Sequence, residues 1–151
     1  MLKIGDPLPY ITLPNEKGEN ISLSSFKGKQ PIVVYFYPKN NTPGCTAEAC
    51  SFRDNYESFK DFGAEIIGIS GDSVSSHQKV KNRRKLPFIL LSDSQRKAER
   101  LFGVPRSVLG LLPGRVTFIA DKSGKIVHTF NSTSNATRHI SEALKALSKA
   151  N

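Results

Sequence analysis

The chain has 151 residues, of which 38% are hydrophobic and 23% charged, and 22 lysines and arginines against 13 acidic residues give a formal net charge of +9. These values are typical of a single globular domain over residues 1–151 and exclude a collagen-like, coiled-coil or disordered chain. No apolar run approaches the roughly 18 residues of a membrane-spanning helix, so we expect no membrane partner. The first residues also lack an apolar export signal. This start favours the cytoplasm, although a mature organelle protein without its transit peptide would look the same.

Residues 1–63 predict a hairpin, a buried strand and a helix. Turn residues around short alternating stretches predict a small β-hairpin, or edge strands, over residues 10–13 and 21–23. The β-branched and aromatic run over residues 31–37 predicts a strand buried on both faces. Apolar residues at helical spacing then predict one helix over residues 43–62, which Gly63 ends.

The remainder alternates between predicted strands and helices. In order, these are a strand at 64–69, a basic helix capped by Asp72 or Ser73, a strand at 87–91, a helix that Ser92 or Asp93 caps and Gly103 ends, strands at 115–120 and 126–130, and a final helix striped by Ile140, Ala143, Leu144 and Leu147. This order predicts an α/β fold with a central mixed β-sheet flanked by helices.

The chain has only two cysteines, Cys45 and Cys50. They are too few, in too long a chain, for the disulfide framework of a small secreted domain. A zinc site needs more ligands at short spacing, so we expect no metal and no cofactor. Redox chemistry and two unreactive thiols both remain open.

The residues before the first cysteine predict a helix start, with Thr42 as N-cap and Pro43 at the first helical position. Cys45 then lies in the first turn, where free backbone N–H groups and the positive end of the helix dipole favour a thiolate. A small buried filler would suit the same position, because a free cysteine is often simply buried.

The spacing of the two cysteines limits how they can pair. Residues five apart in a regular helix are separated by a rise of ~7.5 Å and a rotation of ~140°. The resulting Cα separation of roughly 8–9 Å exceeds the ~7 Å limit for a disulfide. Cys45 and Cys50 therefore either never pair or pair only when the first turns of the helix unwind.

The pattern Pro38-x-x-x-Thr42-x-x-Cys45, with Cys50 five residues later, resembles the active-site motif of peroxiredoxins. The five-residue spacing resembles the peroxiredoxin Q group, also called bacterioferritin comigratory proteins. Similar stretches extend along nearly the whole chain, at 52–54, 68–72, 86–88, 91–93, 102–104 and 112–118. The resemblance implies a thioredoxin-like fold with an N-terminal β-hairpin extension.

The resemblance also implies an enzyme, a thioredoxin-dependent peroxidase that reduces hydrogen peroxide and organic hydroperoxides. Cys45 would be the peroxidatic cysteine, whose thiolate attacks the peroxide and becomes a sulfenic acid. Cys50 would be the resolving cysteine, forming an intramolecular disulfide that thioredoxin or a related dithiol protein reduces. The group is commonly monomeric, which implies a monomer here.

Three further residues receive roles from the resemblance. Thr42 would direct its hydroxyl at the peroxide oxygens, although an N-cap role for the same oxygen competes with this. Pro38 would shield the thiolate from water. Arg115 would hold the thiolate and stabilise developing charge, because a guanidinium stays protonated and has several donors. Spacing alone does not single out Arg115 among the basic residues, and we expect Glu48 on the exposed face of the helix.

Two other function classes remain as alternatives. A thioredoxin-type disulfide reductase shares the fold but requires Cys-x-x-Cys at the helix start. A basic nucleic-acid-binding module explains the net charge but not the cysteines. The densest basic cluster has five cations in residues 79–85, without interleaved aromatic residues, and we interpret it as a solvated helix face. We expect the three histidines to have surface or packing roles, which disfavours a Cys-His hydrolase; they are His77, His128 and His139.

Overall fold

The computed structural model describes residues 1–106, 110, 112–133 and 135–150. Its strands are β1 (Thr12–Pro14), β2 (Asn20–Ser22), β3 (Ile32–Phe36), β4 (Glu65–Ser70), β5 (Ile89–Ser92), β6 (Val116–Ala120) and β7 (Ile126–Asn131). Its helices are α1 (Pro43–Asp54), α2 (Tyr56–Asp61), α3 (Val74–Arg84), α4 (Lys97–Phe102) and α5 (Arg138–Ala150), with a 3-10 turn at Leu23–Phe26. Within these described ranges, no helix is both long and apolar enough to cross a membrane.

A mixed sheet of five strands, in the order β5-β4-β3-β6-β7, forms the centre of the fold. β3 pairs in parallel with β4, and β4 in parallel with β5. β6 pairs antiparallel with β3 on one side and with β7 on the other. β1 and β2 form a separate antiparallel hairpin. The predicted α/β fold and N-terminal hairpin are confirmed.

The central strand β3 supplies hydrophobic side chains to both faces of the sheet, and all five of its residues are buried. Val33 and Tyr35 join the cluster covered by α1, α2, α3 and α5. Ile32, Val34 and Phe36 join the opposite cluster, which α4 and the N-terminal hairpin cover. Successive strand residues point to opposite faces, so a strand covered on both sides needs a continuous apolar run. The predicted two-sided burial of this strand is confirmed.

The single helix predicted over residues 43–62 is wrong, because the chain forms α1 and α2 with a break at Asn55. This residue adopts φ −107° and ψ 11°, outside the helical region. Its side-chain Nδ2 donates to the carbonyl of Ser51 at 2.8 Å. Asparagine competes in this way with the helical hydrogen bonds of the main chain. Gly63 follows α2 with a φ of 71°, as a helix-ending glycine requires.

Helix α4 begins later than predicted. Its first residue is Lys97, preceded by Arg96 in a left-handed conformation with φ 61°. Asp93 nevertheless caps this helix, because its carboxylate accepts the backbone N–H groups of Ala98 and Glu99 at 3.0 and 2.9 Å. Ser73 caps α3 as predicted, its Oγ accepting the N–H of Ser76 at 3.1 Å.

Candidate active site

The candidate site lies where β3 ends and α1 begins. Thr42 is the N-cap residue in an extended conformation, and Pro43 occupies the first turn. Cys45 is therefore the third helical residue, as predicted, and only 4% of its surface is exposed. Its thiol faces the cluster that contains Tyr35 and Phe52. The sulfur is thus sheltered while the free N–H groups of the helix start lie beside it.

Thr42 makes no side-chain capping bond to the helix. Its hydroxyl instead donates to the carbonyl of Lys39 at 2.9 Å, which ties the loop to the helix start. The structure therefore shows no N-cap bond from this hydroxyl, and its role towards the peroxide stays a prediction. The O–H of Thr42 is used as a donor to the Lys39 carbonyl, and the oxygen retains its acceptor lone pairs.

Arg115 lies directly before β6, the strand paired antiparallel with β3, and reaches across to the start of α1. Its Nη2 lies 3.4 Å from Cys45 Sγ, and the residue is only 5% exposed. A Cβ atom added to Gly44 would lie 3.0 Å from the same Nη2, so glycine leaves room for the guanidinium over the first turn. A buried positive charge at this distance stabilises a thiolate.

The expected exposed position of Glu48 is wrong: the residue is fully buried, with 0% of its surface exposed. Its Oε1 accepts a hydrogen bond from Arg115 Nη1 at 2.7 Å. It lies three residues after Cys45 on α1, so both side chains emerge on the same face of the helix. Burial raises the pKa of Glu48 to about 8, while the Arg115 guanidinium opposes this rise.

His139 of α5 closes the far side of this cluster, with Nδ1 3.7 Å from Glu48 Oε2. Its Nε2 lies 2.8 Å from the Ser132 carbonyl, which can only accept, so Nε2 carries the proton. Nδ1 then accepts the Thr117 hydroxyl at 2.7 Å. Burial lowers the pKa of His139 to about 4, which keeps the ring neutral. His139 therefore packs beside Glu48 without adding charge.

Cys50 lies on the same helix as Cys45 and is partly buried, and both thiols are free. Because α1 runs without interruption from Pro43 to Asp54, both cysteines belong to one regular helix. The helical rise and rotation then hold the two sulfurs apart. A disulfide between them requires α1 to unwind at its start.

Pro38 lines a different depression from the one beside the thiol. Pro38 and Phe36 belong to a cleft of about 280 Å³ at the carboxyl ends of β3 and β4. Cys45 instead lines a narrow crevice with Tyr37 and Arg84. The structure thus brings Cys45, Arg115 and Glu48 together, with Thr42 at the same helix start, whereas the shielding role of Pro38 stays a prediction.

Sequence reasoning missed the buried side chain that holds the loop before α1. Asn40 Oδ1 accepts the hydroxyl of Tyr37 at 2.7 Å. Its Nδ2 lies 3.0 Å from Ser76 Oγ and 3.0 Å from His77 Nδ1, both on α3. Its backbone N–H donates to Asp72 Oδ2 at 2.9 Å. Asn40 thereby fastens the loop to α3, and no local sequence signal distinguishes it from an ordinary loop residue.

The comparisons with known proteins agree with this geometry. Residues 4–129 match the AhpC/TSA family. The chain belongs to the AhpC/TSA family. One relative is the protein named peroxiredoxin Q, chloroplastic, of Oryza sativa subsp. japonica, which is 50% identical to this chain over 143 residues. The alignment covers 95% of this chain and 65% of the rice protein. This chain is also 50% identical to the Sedum lineare protein of the same name, covering 95% of this chain and 76% of the relative. The resemblance to the peroxiredoxin Q group is confirmed.

Two solved structures share the fold of this chain over 93% or more of its length. Peroxidoxin BcpB of Mycobacterium tuberculosis superposes with a TM-score of 0.92 at 36% identity, over 100% of this chain and 99% of the other. The bacterioferritin comigratory protein of Xanthomonas campestris, studied for its alkyl peroxide reduction, gives 0.80 at 29% identity, over 93% and 98%. These similarities confirm the predicted thioredoxin-like fold. Across the described residues, no group of three or more His, Cys, Asp and Glu side chains is placed to hold a metal ion.

Proposed function

We propose that this protein is a thiol peroxidase that reduces hydrogen peroxide and organic hydroperoxides to water and alcohols. The observation that carries the proposal is the 3.4 Å contact between Arg115 Nη2 and Cys45 Sγ at the first turn of α1. A thiolate in that position is stabilised by the guanidinium and by the helix dipole. The peroxiredoxin names of the relatives support the same conclusion.

In the first step, the Cys45 thiolate attacks the terminal oxygen of the hydroperoxide. The O–O bond breaks, a proton goes to the departing oxygen to give water or an alcohol, and the cysteine becomes a sulfenic acid. Arg115 stabilises the negative charge that moves from sulfur to the departing oxygen. The Thr42 oxygen accepts a hydrogen bond from the hydroperoxide O–H, and the Gly44 and Cys45 amides donate hydrogen bonds to the peroxide oxygens.

In the second step, the Cys50 thiolate attacks the Cys45 sulfur. An S–S bond forms, the S–O bond breaks, and the oxygen leaves as water after taking up a proton. Because α1 holds the two sulfurs apart, this step requires its first turns to unwind. The free energy of that unwinding therefore controls how quickly the sulfenic acid is resolved.

A thiol reductant completes the cycle, and we assign this role to thioredoxin or a related dithiol protein. Two exchange steps transfer two electrons and restore both thiols. We also propose that the protein acts as a monomer. We propose either the cytoplasm or an organelle as its location. The names of the plant relatives include the word chloroplastic, which supports the organelle.

Turnover with hydrogen peroxide, thioredoxin, thioredoxin reductase and NADPH tests this function. Wild-type protein should consume NADPH only when peroxide is present, and Cys45→Ser should not. Cys50→Ser should react once with peroxide and then recycle poorly. Insulin reduction without peroxide consumption would instead identify a thioredoxin-type disulfide reductase.

A further inference from the structure

The C-terminal half of α3 and its C-cap residue carry four cationic side chains, which we call the α3 basic face: Lys79, Arg83, Arg84 and the C-cap Lys85. Three of them are exposed and Arg84 is partly buried. The fifth cation of this cluster, Lys81, is different, because it forms an ion pair with Glu16 at 2.6 Å. Among the described residues, none of the four side chains in the α3 basic face has an ion-pair partner, and α3 itself contains no acidic residue.

The α3 basic face borders the helix that carries both cysteines. Lys79 and Arg83 line a surface depression with Asn41, which directly precedes Thr42. Arg84 lines the narrow crevice to which Cys45 contributes. These contacts place the basic side chains beside the start of α1.

The other end of α1 is fastened to the same part of α3. Arg53 lies three residues after Cys50 on α1, and its Nη1 donates to the carbonyl of Arg84 at 2.7 Å. Residues three apart lie on neighbouring parts of a helix surface. The α3 basic face therefore runs alongside the helical segment that contains both Cys45 and Cys50.

The acidic groups near this segment do not neutralise the basic face. Asp72 accepts from the uncharged Asn40 backbone N–H and Ser70 hydroxyl, at 2.9 and 2.6 Å, so it adds a single negative charge against the four positive charges of the basic face. Asp54 pairs with Arg53 at 3.0 Å. The surface around the two cysteines therefore carries a net positive field, which attracts acidic partners and excludes basic ones.

We propose that the α3 basic face docks the dithiol reductant, and that this reductant carries acidic side chains around its own dithiol. The inference rests on the proposed peroxidase function. A neutral hydroperoxide is not attracted by a positive field. A reductant protein, in contrast, must bring its thiol to α1 and therefore approaches over this basic surface. Nucleic acid is the less favoured occupant, since α3 has no Phe, Tyr or Trp on which bases could stack and its His77 ring is buried.

The docked reaction is a balanced thiol–disulfide exchange. A thiolate of the reductant attacks one sulfur of the Cys45–Cys50 disulfide, that S–S bond breaks, and a mixed disulfide forms. The second thiolate of the reductant then displaces the cysteine sulfur. Two protons and two electrons arrive on Cys45 and Cys50, and the reductant leaves as a disulfide.

The test uses Lys79→Glu/Arg83→Glu and a matched control, Lys145→Glu/Lys149→Glu. Each pair lies four residues apart in the C-terminal half of an exposed helix face, on α3 and α5 respectively. The reductant is an acidic recombinant thioredoxin with NADPH and thioredoxin reductase. The α3 variant should raise the KM for thioredoxin about tenfold and the control less than about twofold. Raising salt from about 20 mM to about 300 mM should weaken wild-type recycling much more than recycling by the α3 variant.

Two assays without thioredoxin separate this proposal from the function itself. The rate of thiol loss with hydrogen peroxide and the turnover with dithiothreitol should be the same in all three proteins. Loss of those activities in the wild type would contradict the peroxidase function. An unchanged KM for thioredoxin in the α3 variant would overturn the docking proposal but not the peroxidase function. If the α3 variant also lost an affinity for duplex DNA that the wild type has, nucleic acid would be the occupant instead.

Discussion

Arg115 and Glu48 are joined by a 2.7 Å bond between Nη1 and Oε1, although 67 residues separate them in the chain. Both are buried, so the charge-assisted hydrogen bond is shielded from water. Because Nη1 is held by Glu48, the planar guanidinium directs Nη2 at Cys45 Sγ. Glu48 thus acts as a positioning residue for the arginine rather than as a catalytic one.

Arg115→Lys should lower the second-order rate of Cys45 oxidation by hydrogen peroxide about 10- to 100-fold. Lysine keeps the charge but has no planar fork, so it cannot donate to Glu48 and Cys45 together in the same geometry. Stopped-flow or competition kinetics measure this rate. Arg138→Lys is the control, because Arg138 is exposed and lies away from the thiol, against Phe130. Equal rates for wild type and Arg115→Lys would exclude the guanidinium contact from the chemistry.

Glu48→Gln should change how stability depends on pH. Burial raises the pKa of Glu48 from 4.5 to about 8, so the folded protein holds a proton that the unfolded chain releases in this range. The stability contributed by Glu48 is therefore fully present below pH 4.5 and is lost as the pH rises towards 8. Burial lowers the pKa of His139 from 6.5 to about 4, so its contribution is lost as the pH falls below 6.5.

Between pH 4.5 and 6.5, a rise in pH weakens the contribution of Glu48 to stability and strengthens that of His139, so the two changes oppose each other. Above pH 6.5 only the contribution of Glu48 still changes with pH. The wild-type free energy of unfolding should fall by about 2 kcal/mol from pH 6.5 to 8, at ~1.4 kcal/mol per pH unit. In Glu48→Gln this fall should disappear. Urea denaturation across the range measures it, with Glu57→Gln on the exposed surface of α2 as the control. A fall that persists in Glu48→Gln would show that another group causes it.

Thr42→Val should slow oxidation of Cys45 by about tenfold or more, whereas Thr42→Ser should stay within a few-fold of wild type. The Thr42 hydroxyl donates to the Lys39 carbonyl, and in the proposed mechanism its lone pairs accept a hydrogen bond from the hydroperoxide. Valine has nearly the same shape as threonine, but it can neither donate nor accept a hydrogen bond. Loss of one such hydrogen bond costs about 1–2 kcal/mol. The two variants together separate the hydroxyl from the side-chain volume. Identical rates in both would remove the hydroxyl from the mechanism.

Asn40→Ala should make the start of α1 easier to unwind. The substitution removes the bonds to Tyr37, Ser76 and His77 that hold the loop against α3. Hydrogen exchange of the amides in residues 40–46 should become faster, and disulfide formation after peroxide should accelerate about three- to tenfold. The control is Asn82→Ala, which changes an exposed residue of α3. Slower resolution in Asn40→Ala would contradict the requirement for unwinding.

The parts of the site that depend on local signals could be predicted from the sequence. Thr42 and Pro43 define the start of α1 through the dihedral angles and hydrogen bonds of adjacent residues, which places Cys45 in the first turn. The continuous apolar run of β3 likewise predicts, without reference to distant residues, that both faces of the strand are buried. In contrast, the identity of Arg115 came only from the resemblance, and the single-domain organisation of residues 1–151 stays a prediction.

The sequence-based predictions that are wrong depend on contacts between residues far apart in the chain, or on a side chain competing for the hydrogen bonds of a helix. The sequence predicts Glu48 at the surface, since charged side chains are rarely buried without a partner. Its partner Arg115 comes close only through the pairing of β3 with β6. The break at Asn55 depends on whether its side chain bonds to Ser51 or to solvent, which helical periodicity does not encode. Asn40 becomes important only because α3 packs beside the loop that contains it.

The central claim is the two-cysteine cycle of Cys45 and Cys50. Intact mass and a free-thiol count after one equivalent of hydrogen peroxide, on wild type and Cys50→Ser, test it most directly. The wild type should lose two hydrogens and both thiols while remaining a monomer, and Cys50→Ser should gain one oxygen on Cys45. Retention of both thiols in the wild type would contradict the claim.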